Sequence, residues 1–332
     1  MIMENTAFHL EREIAVAAVR EAAALCRAVQ AGISPDVIRK KDRSPVTVAD
    51  FGSQALVCRM LAEAFPEDPV IGEENADALR TPENAATLEK VVGYVRAAHP
   101  EADASSVAAW IDHGGTKDYS NRFWTLDPID GTKGFLRGEQ YAIALALIVG
   151  GEVTVAAMAC PNLPVDAGAD EKGVVFAAIR GQGVVRVPLD GDGAGAPVHV
   201  SALADVSKAR FCESVESGHS SHGDAARVAE YLGITAEPVR LDSQAKYAVV
   251  ARGEADIYMR LPTRPGYVEK IWDHAAGMLV VMEAGGKASD IYGRPLEFNH
   301  GYRLENNRGV IVSNGLLHDE LIAALKALGV AA

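Results

Sequence analysis

Cysteine is scarce: Cys26, Cys58, Cys160 and Cys212 are the only four in 332 residues. None pairs in a CxxC spacing, so a zinc site is not indicated. Four scattered thiols in so long a chain fit a reducing, cytoplasmic setting better than a disulfide scaffold. The opening MIMENTAFHLEREIAV has no basic segment followed by an apolar run, so no signal peptide is expected. Long hydrophobic runs are missing too. The longest, residues 141 to 149, falls far short of the roughly 20 residues a membrane helix needs. Positive charge is in deficit, with 32 lysines and arginines against 45 acids and a net charge of −13 at pH 7. Such a chain is a poor partner for nucleic-acid polymers or anionic membranes. It also repels small polyanions at long range, so an anionic substrate needs a local cationic pocket or a bound metal.

Core-forming residues are plentiful. Hydrophobic residues make up 48% and charged residues 23%, which excludes wholesale disorder. The length fits one large α/β domain or two of ordinary size. Leu10, Ile14, Ala18, Leu25 and Val29 recur at helical spacing over residues 7 to 31, and Gly32 is the stop. A second helix is expected over residues 51 to 65, then a short buried strand at Val70 and Ile71, then a helix opened by Thr81 and Pro82. The middle reads as strands: 123 to 126, then 141 to 149 and 153 to 158 joined across Gly150 and Gly151, then a hairpin of 174 to 179 with 184 to 187. After a Gly- and Asp-rich loop at 190 to 196, helices alternate with short strands to the end. Pro161 and Pro164 interrupt the middle strands. This places a boundary near residues 158 to 165, between an N-terminal lobe of residues 1 to 160 and a C-terminal lobe of residues 161 to 332.

Five groups of residues have the makings of chemistry. In WTLDPIDGTKGF (residues 124 to 135), a strand runs into Asp127 and Asp130-Gly131 makes a tight turn. Two carboxylates three apart in such a turn can face one point, with the Ile129 carbonyl as a third hard oxygen, a set that suits magnesium. Alone, however, Asp-x-x-Asp-Gly is an ordinary turn sequence. In IGEEN (71 to 75), a strand ends on two glutamates, which in isolation reads as a solvated loop. In SPVTVAD (44 to 50), Asp50 stands where a helix cap would. In IWDHAAG (271 to 277), Asp273 stands where a cap of the following apolar helix would, the N-terminus of that helix favours a phosphate, and His274 reads as a packed or hydrogen-bonded histidine. The last group is cationic and polar: His219, Ser243, Lys246 and Arg260 are either surface residues and caps or the positive surface the chain otherwise lacks. If Asp50, Glu73, Asp127, Asp130 and Asp273 converge, each pair near 4 Å costs about 4 kcal/mol at an effective dielectric of 20, and cations are then required.

IGEE, DPIDGTKGF and WDHAAG, in that order and spacing, resemble the lithium-sensitive, magnesium-dependent phosphatase superfamily that includes inositol monophosphatase, inositol polyphosphate 1-phosphatase and fructose-1,6-bisphosphatase. KDRSPVTVADFGSQALV, ACPNLP, ESVESGHSSH and LDSQAKYAVVARGEADIYMRLP resemble its 3′(2′),5′-bisphosphate nucleotidase branch. The resemblance covers about residues 10 to 315 and implies a layered α-β-α-β-α sandwich of the α/β (α+β) class. It implies that Glu73, Asp127, the carbonyl of Ile129, Asp130 and Asp273 bind two or three magnesium ions. It implies that Asp50 and Thr132, as a hydrogen-bonded pair, activate the attacking water. His219, Ser243, Lys246 and Arg260 would hold the nucleotide, with Thr132 and Asp273 also touching substrate. The implied reaction is hydrolysis of the 3′-phosphate of adenosine 3′,5′-bisphosphate to AMP and phosphate, with 3′-phosphoadenosine 5′-phosphosulfate as a further substrate, in sulfur assimilation, inhibited by lithium. The alternatives are an inositol phosphatase, a non-catalytic nucleotide sensor and a structural cation-binding protein. The oligomeric state is left open.

Overall fold

The apolar stripes of the first sixty residues become two packed helices. In this computed structural model, residues 7–33, 44–191, 193–215, 221–264 and 266–330 are described, with the backbone alone at 44–46 and 222. Helix α1 (His9–Ala31) packs against α2 (Ser44–Ala64). Helix α2 begins at Ser44, earlier than expected, because Pro45 in a first turn forfeits no intrahelical hydrogen bond. Asp50 therefore lies inside the helix and does not cap it.

A seven-stranded sheet follows in sequential order: β1 (Val70–Gly72), β2 (Arg122–Asp130), β3 (Ala142–Val149), β4 (Glu152–Pro164), β5 (Lys172–Ile179), β6 (Val184–Pro188) and β7 (Ala196–Pro197). Only β1 and β2 run parallel; the other neighbours are antiparallel. Two helices, α3 (Ala85–Val95) and α4 (Ala104–His113), fill the connection from β1 to β2. The sequence reading missed α4, although Asp103 and Ser106 cap it reciprocally. Residues 158 to 164 of that stretch lie within β4, and the seven-stranded sheet continues to Pro197. Pro161 and Pro164 are tolerated because the β4–β5 pairing slips between Cys160 and Pro164, so no ladder hydrogen bond is lost there.

The second sheet has the order β11 (Lys287–Ser289), β12 (Val310–Ser313), β10 (Ile257–Arg260), β8 (Phe211–Glu213), β9 (Val239–Arg240). Between the sheets lie α7 (Ala245–Ala251) and α8 (Ala275–Glu283), while α6 (His222–Leu232) and α9 (His318–Ala327) cover the far side. Three apolar clusters mark the three interfaces. The first joins α1 and α2 to one face of the large sheet, the second joins its other face to α7 and α8, and the third joins the small sheet to α6 and α9. Strand β4 serves two of them by alternation, with Val155, Ala157 and Ala159 in the first and Ala156, Met158 and Cys160 in the second. Helix α8 has no polar face because both its sides meet a sheet; every residue from Ala275 to Val281 is buried. The result is the expected α-β-α-β-α sandwich.

Leu279 on α8 is fully buried in that central layer. Leu279→Ala should lower unfolding free energy by about 2–5 kcal/mol, read from urea denaturation.

Candidate active site

The parallel pair of strands builds half the site. Their register sets Gly72 beside Leu126, so Glu73 leaves β1 next to where Asp127 ends its ladder. Thr125 Oγ1 donates to the Ile71 carbonyl at 3.0 Å and holds that register. The β2–β3 pairing shifts between Asp127 and Asp130, and this irregularity frees both carboxylates from strict alternation. The backbone N–H of Ile129 donates to Asp127 Oδ1 at 3.1 Å, and Ser53 Oγ of α2 donates to the Pro128 carbonyl at 2.9 Å. Gly131, at φ +90°, then turns the chain into the short helix α5 (Thr132–Arg137). A side chain at Gly131 would meet Ser243 Cβ at 2.9 Å, so this glycine also lets the two halves of the chain touch.

The other half comes from the middle layer and the small sheet. Asp273 stands just ahead of α8; His274, not Asp273, occupies the cap position. Glu73, Asp127, Ile129, Asp130, Thr132 and Asp273 line one pocket together with Ser243, Lys246 and Arg260. Asp50 is buried behind them. Its carboxyl is raised well above the ordinary range by burial and then by the charges of Glu74 and Glu73. Among the described residues no hydrogen bond joins Asp50 to Thr132. His219 lies outside the described residues.

The electrostatics of the pocket are those of crowded acids. Burial, and then Asp273, Glu74 and Asp130, push the Glu73 carboxyl up to about 8, while Asp127 shares a hydrogen bond with it. Asp127 is raised well above the usual range by burial, then by Glu73, Asp130 and Asp273. Asp273 is raised to about 6, again chiefly by burial, against the lowering charge of Arg260. Carboxylates that repel one another and share protons are a set that hard divalent cations fit. Burial lowers the Lys246 amine, which donates to the Ser243 carbonyl at 2.7 Å and sits 5.3 Å from the Tyr258 ring centre.

A second group with metal-ligand character overlaps the first: Glu269, Asp273 and His274 lie close together. Glu269 is already committed. It pairs with Arg260 Nε at 2.9 Å and with His274 Nε2 at 3.2 Å, and the other ring nitrogen of His274 meets the Tyr247 hydroxyl at 2.7 Å. Burial would raise Glu269, but the His274 hydrogen bond and the Arg260 charge hold it below its ordinary value. This trio is an ion-paired brace, and Arg260 extends it to Asp273 at 3.5 Å. The donors that fit a cation are therefore the carboxylates of Glu73, Asp127, Asp130 and Asp273. Sequence reasoning missed Glu269, Tyr247, Gln54 and Gln244. Gln54 and Gln244 stand in stretches it singled out, and only the fold shows what they touch.

Comparison with known proteins gives a family and a fold. The model of the inositol monophosphatase family matches residues 6–329. The chain is 44% identical to the 3′(2′),5′-bisphosphate nucleotidase of Schizosaccharomyces pombe, over 97% of this chain and 96% of that protein. It is 44% identical to the protein of the same name from Emericella nidulans, over 96% and 98%. The structure of inositol monophosphatase from Anabaena superimposes with a TM-score of 0.62 at 19% identity, covering 96% of both chains, and shares the fold.

Glu73 and Asp273 hold protons in the fold at about 8 and about 6, against ordinary values of 4.5 and 3.8. Between those limits the folded chain binds more protons than the unfolded one. Their stabilising contribution is therefore whole at low pH and is lost as pH rises toward 8. A divalent cation replaces those protons, so the rise in Tm on adding one should be larger at about pH 8 than at about pH 5. Thermal melts with chelator and with cation at both values check this; an equal or larger rise at the acid end contradicts it.

Proposed function

Because the chain belongs to the inositol monophosphatase family, we propose that it is a magnesium-dependent phosphomonoesterase that removes the 3′-phosphate of adenosine 3′,5′-bisphosphate, giving AMP and phosphate. The sulfated relative, 3′-phosphoadenosine 5′-phosphosulfate, is a second substrate in this reading. One observation carries it: four carboxylates meet Ser243, Lys246 and Arg260 in a single pocket. The carboxylates suit a cation, and the other three residues suit the second phosphate of a nucleotide in a chain of net charge −13. The names of the fungal relatives support the same substrate.

Glu73, Asp127, Asp130 and Asp273, with the Ile129 carbonyl, would hold two or three magnesium ions. Magnesium in such a site supplies charge that acidifies water and neutralises phosphate oxygens. Thr132, at the exposed start of α5, orients the attacking water toward the 3′-phosphorus, and Asp50 takes up the proton that the water sheds. Burial and the charges of Glu74 and Glu73 raise the affinity of Asp50 for a proton, the direction that a proton acceptor needs. Lys246 and Arg260 hold the remaining anionic group, and Ser243 and His219 contact the nucleoside. Glu269 keeps Arg260 extended toward the pocket. Four buried thiols and no disulfide suit the cytoplasm. No helix among the described residues is long and apolar enough to cross a membrane. Removal of the bisphosphate by-product of sulfate assimilation and inhibition by lithium complete the reading.

Phosphate release from adenosine 3′,5′-bisphosphate, beside inositol 1-phosphate at equal magnesium, tests it. Release from the nucleotide should dominate and fall on adding lithium. Preference for the inositol phosphate would overturn the roles of Ser243, Lys246 and Arg260, and binding without release would indicate a sensor. Asp273→Asn should cost about a hundredfold or more in kcat while the circular dichroism spectrum stays unchanged. Lys246→Gln should raise the nucleotide KM about tenfold or more, the worth of a hydrogen bond to a charged group.

A further inference from the structure

The carboxylates of the pocket stand on separate chain segments, and two buried amides brace those segments. Gln54 on α2 is fully buried, one helical turn beyond Asp50 on the same face. Its Nε2 donates to the Glu74 carbonyl at 2.7 Å and to the Ile111 carbonyl at 2.9 Å, while its Oε1 accepts from the Glu74 N–H at 3.0 Å. Both faces of this amide are boxed in by glycine. A Cβ on Gly72 would lie 2.6 Å from Oε1, and one on Gly114 would lie 2.6 Å from Nε2. Gln244 is 1% exposed. It donates to the Trp272 carbonyl at 2.8 Å and accepts from the Gly277 N–H at 3.0 Å, so it brackets Asp273 from both sides. Its own backbone follows Ser243, held at φ +69°, a conformation that L-residues rarely adopt.

A packing role would be filled by an apolar side chain. These side chains instead satisfy backbone groups beside the carboxylates: Gln244 on both sides of Asp273, and Gln54 at Glu74, the residue after Glu73. A glutamate in either place would add negative charge to a pocket already short of cations. We propose that Gln54 and Gln244 are positioning residues: neutral amide clamps that set the metal-binding carboxylates in place before any cation arrives. Gln54 fixes Asp50 against the Glu73–Glu74 segment, within the metal half of the site. Gln244 fixes Asp273 against Ser243 and Lys246, across the metal and nucleotide halves. The proposal rests on the metal-dependent reading above and assigns the two amides different consequences.

The variants are Gln54→Met, Gln244→Met and Gly114→Ala; the last pushes the Gln54 amide aside without changing Gln54. Two quantities are read: the magnesium concentration giving half of the thermal upshift, and the nucleotide KM at saturating magnesium. Gln54→Met should raise the magnesium midpoint about tenfold, the usual effect of losing an outer-shell partner, with KM changed less than about twofold. Gly114→Ala should move the midpoint in the same direction, and it decides the matter if Gln54→Met does not fold. Gln244→Met should raise both quantities about tenfold. Variants that melt lower without cation yet keep the wild-type magnesium midpoint make the amides merely structural and overturn the proposal alone. A wild-type chain with no magnesium upshift overturns the metal reading, and this proposal with it.

Discussion

The constraint on which the site depends is the burial of several carboxylates, crowded against one another, in one pocket. Glu73, Asp127 and Asp273 all hold their protons more tightly than ordinary acids, and each is affected by the charge of others in the group. Each pair near 4 Å would cost about 4 kcal/mol at an effective dielectric of 20. Folding alone does not remove that cost, and local cations compensate only in part. Arg260 reaches Asp273 but is shared with Glu269, and Lys246 is held on backbone carbonyls. Carboxylates arranged this way suit a cation, and cation binding would be linked to stability through the same protons.

The five-layer architecture is what lets a pocket of like charges exist. Each candidate ligand stands at the end of a regular element: Glu73 after β1, Asp127 and Asp130 at the end of β2, Asp273 just before α8. The elements themselves are held by apolar clusters on both faces of the large sheet and on the small one. At the site, Ser243 takes a left-handed conformation and packs against the turn at Gly131. Repulsion at the site thus works against a frame whose stability is distributed elsewhere.

Much of the frame was legible in the sequence. Apolar residues at helical spacing located the first helix, and continuous apolar runs between glycine turns located the antiparallel middle, whose strands are buried on both faces. Ends were less legible. Asp50 resembled a cap because Pro45 disguised the true start of α2, and Asp273 resembled one because it directly precedes the cap position of α8. The supposed boundary at Pro161 and Pro164 lies inside β4, since a slipped register accommodates both prolines. The candidate ligands could be named from motifs, but their convergence is a tertiary fact that spacing does not encode. The bracing residues Glu269, Gln54 and Gln244 carry no signal of their own, since buried partners define them.

Proton release on magnesium binding tests the central claim most directly. Calorimetric titration near pH 7, in two buffers of different ionisation enthalpy, counts the protons exchanged per chain. Carboxyls held above their ordinary range must give up protons to bind a cation, so the account predicts net release. Magnesium binding with no release, or with uptake, would contradict the claim that burial and crowding of carboxylates govern the site.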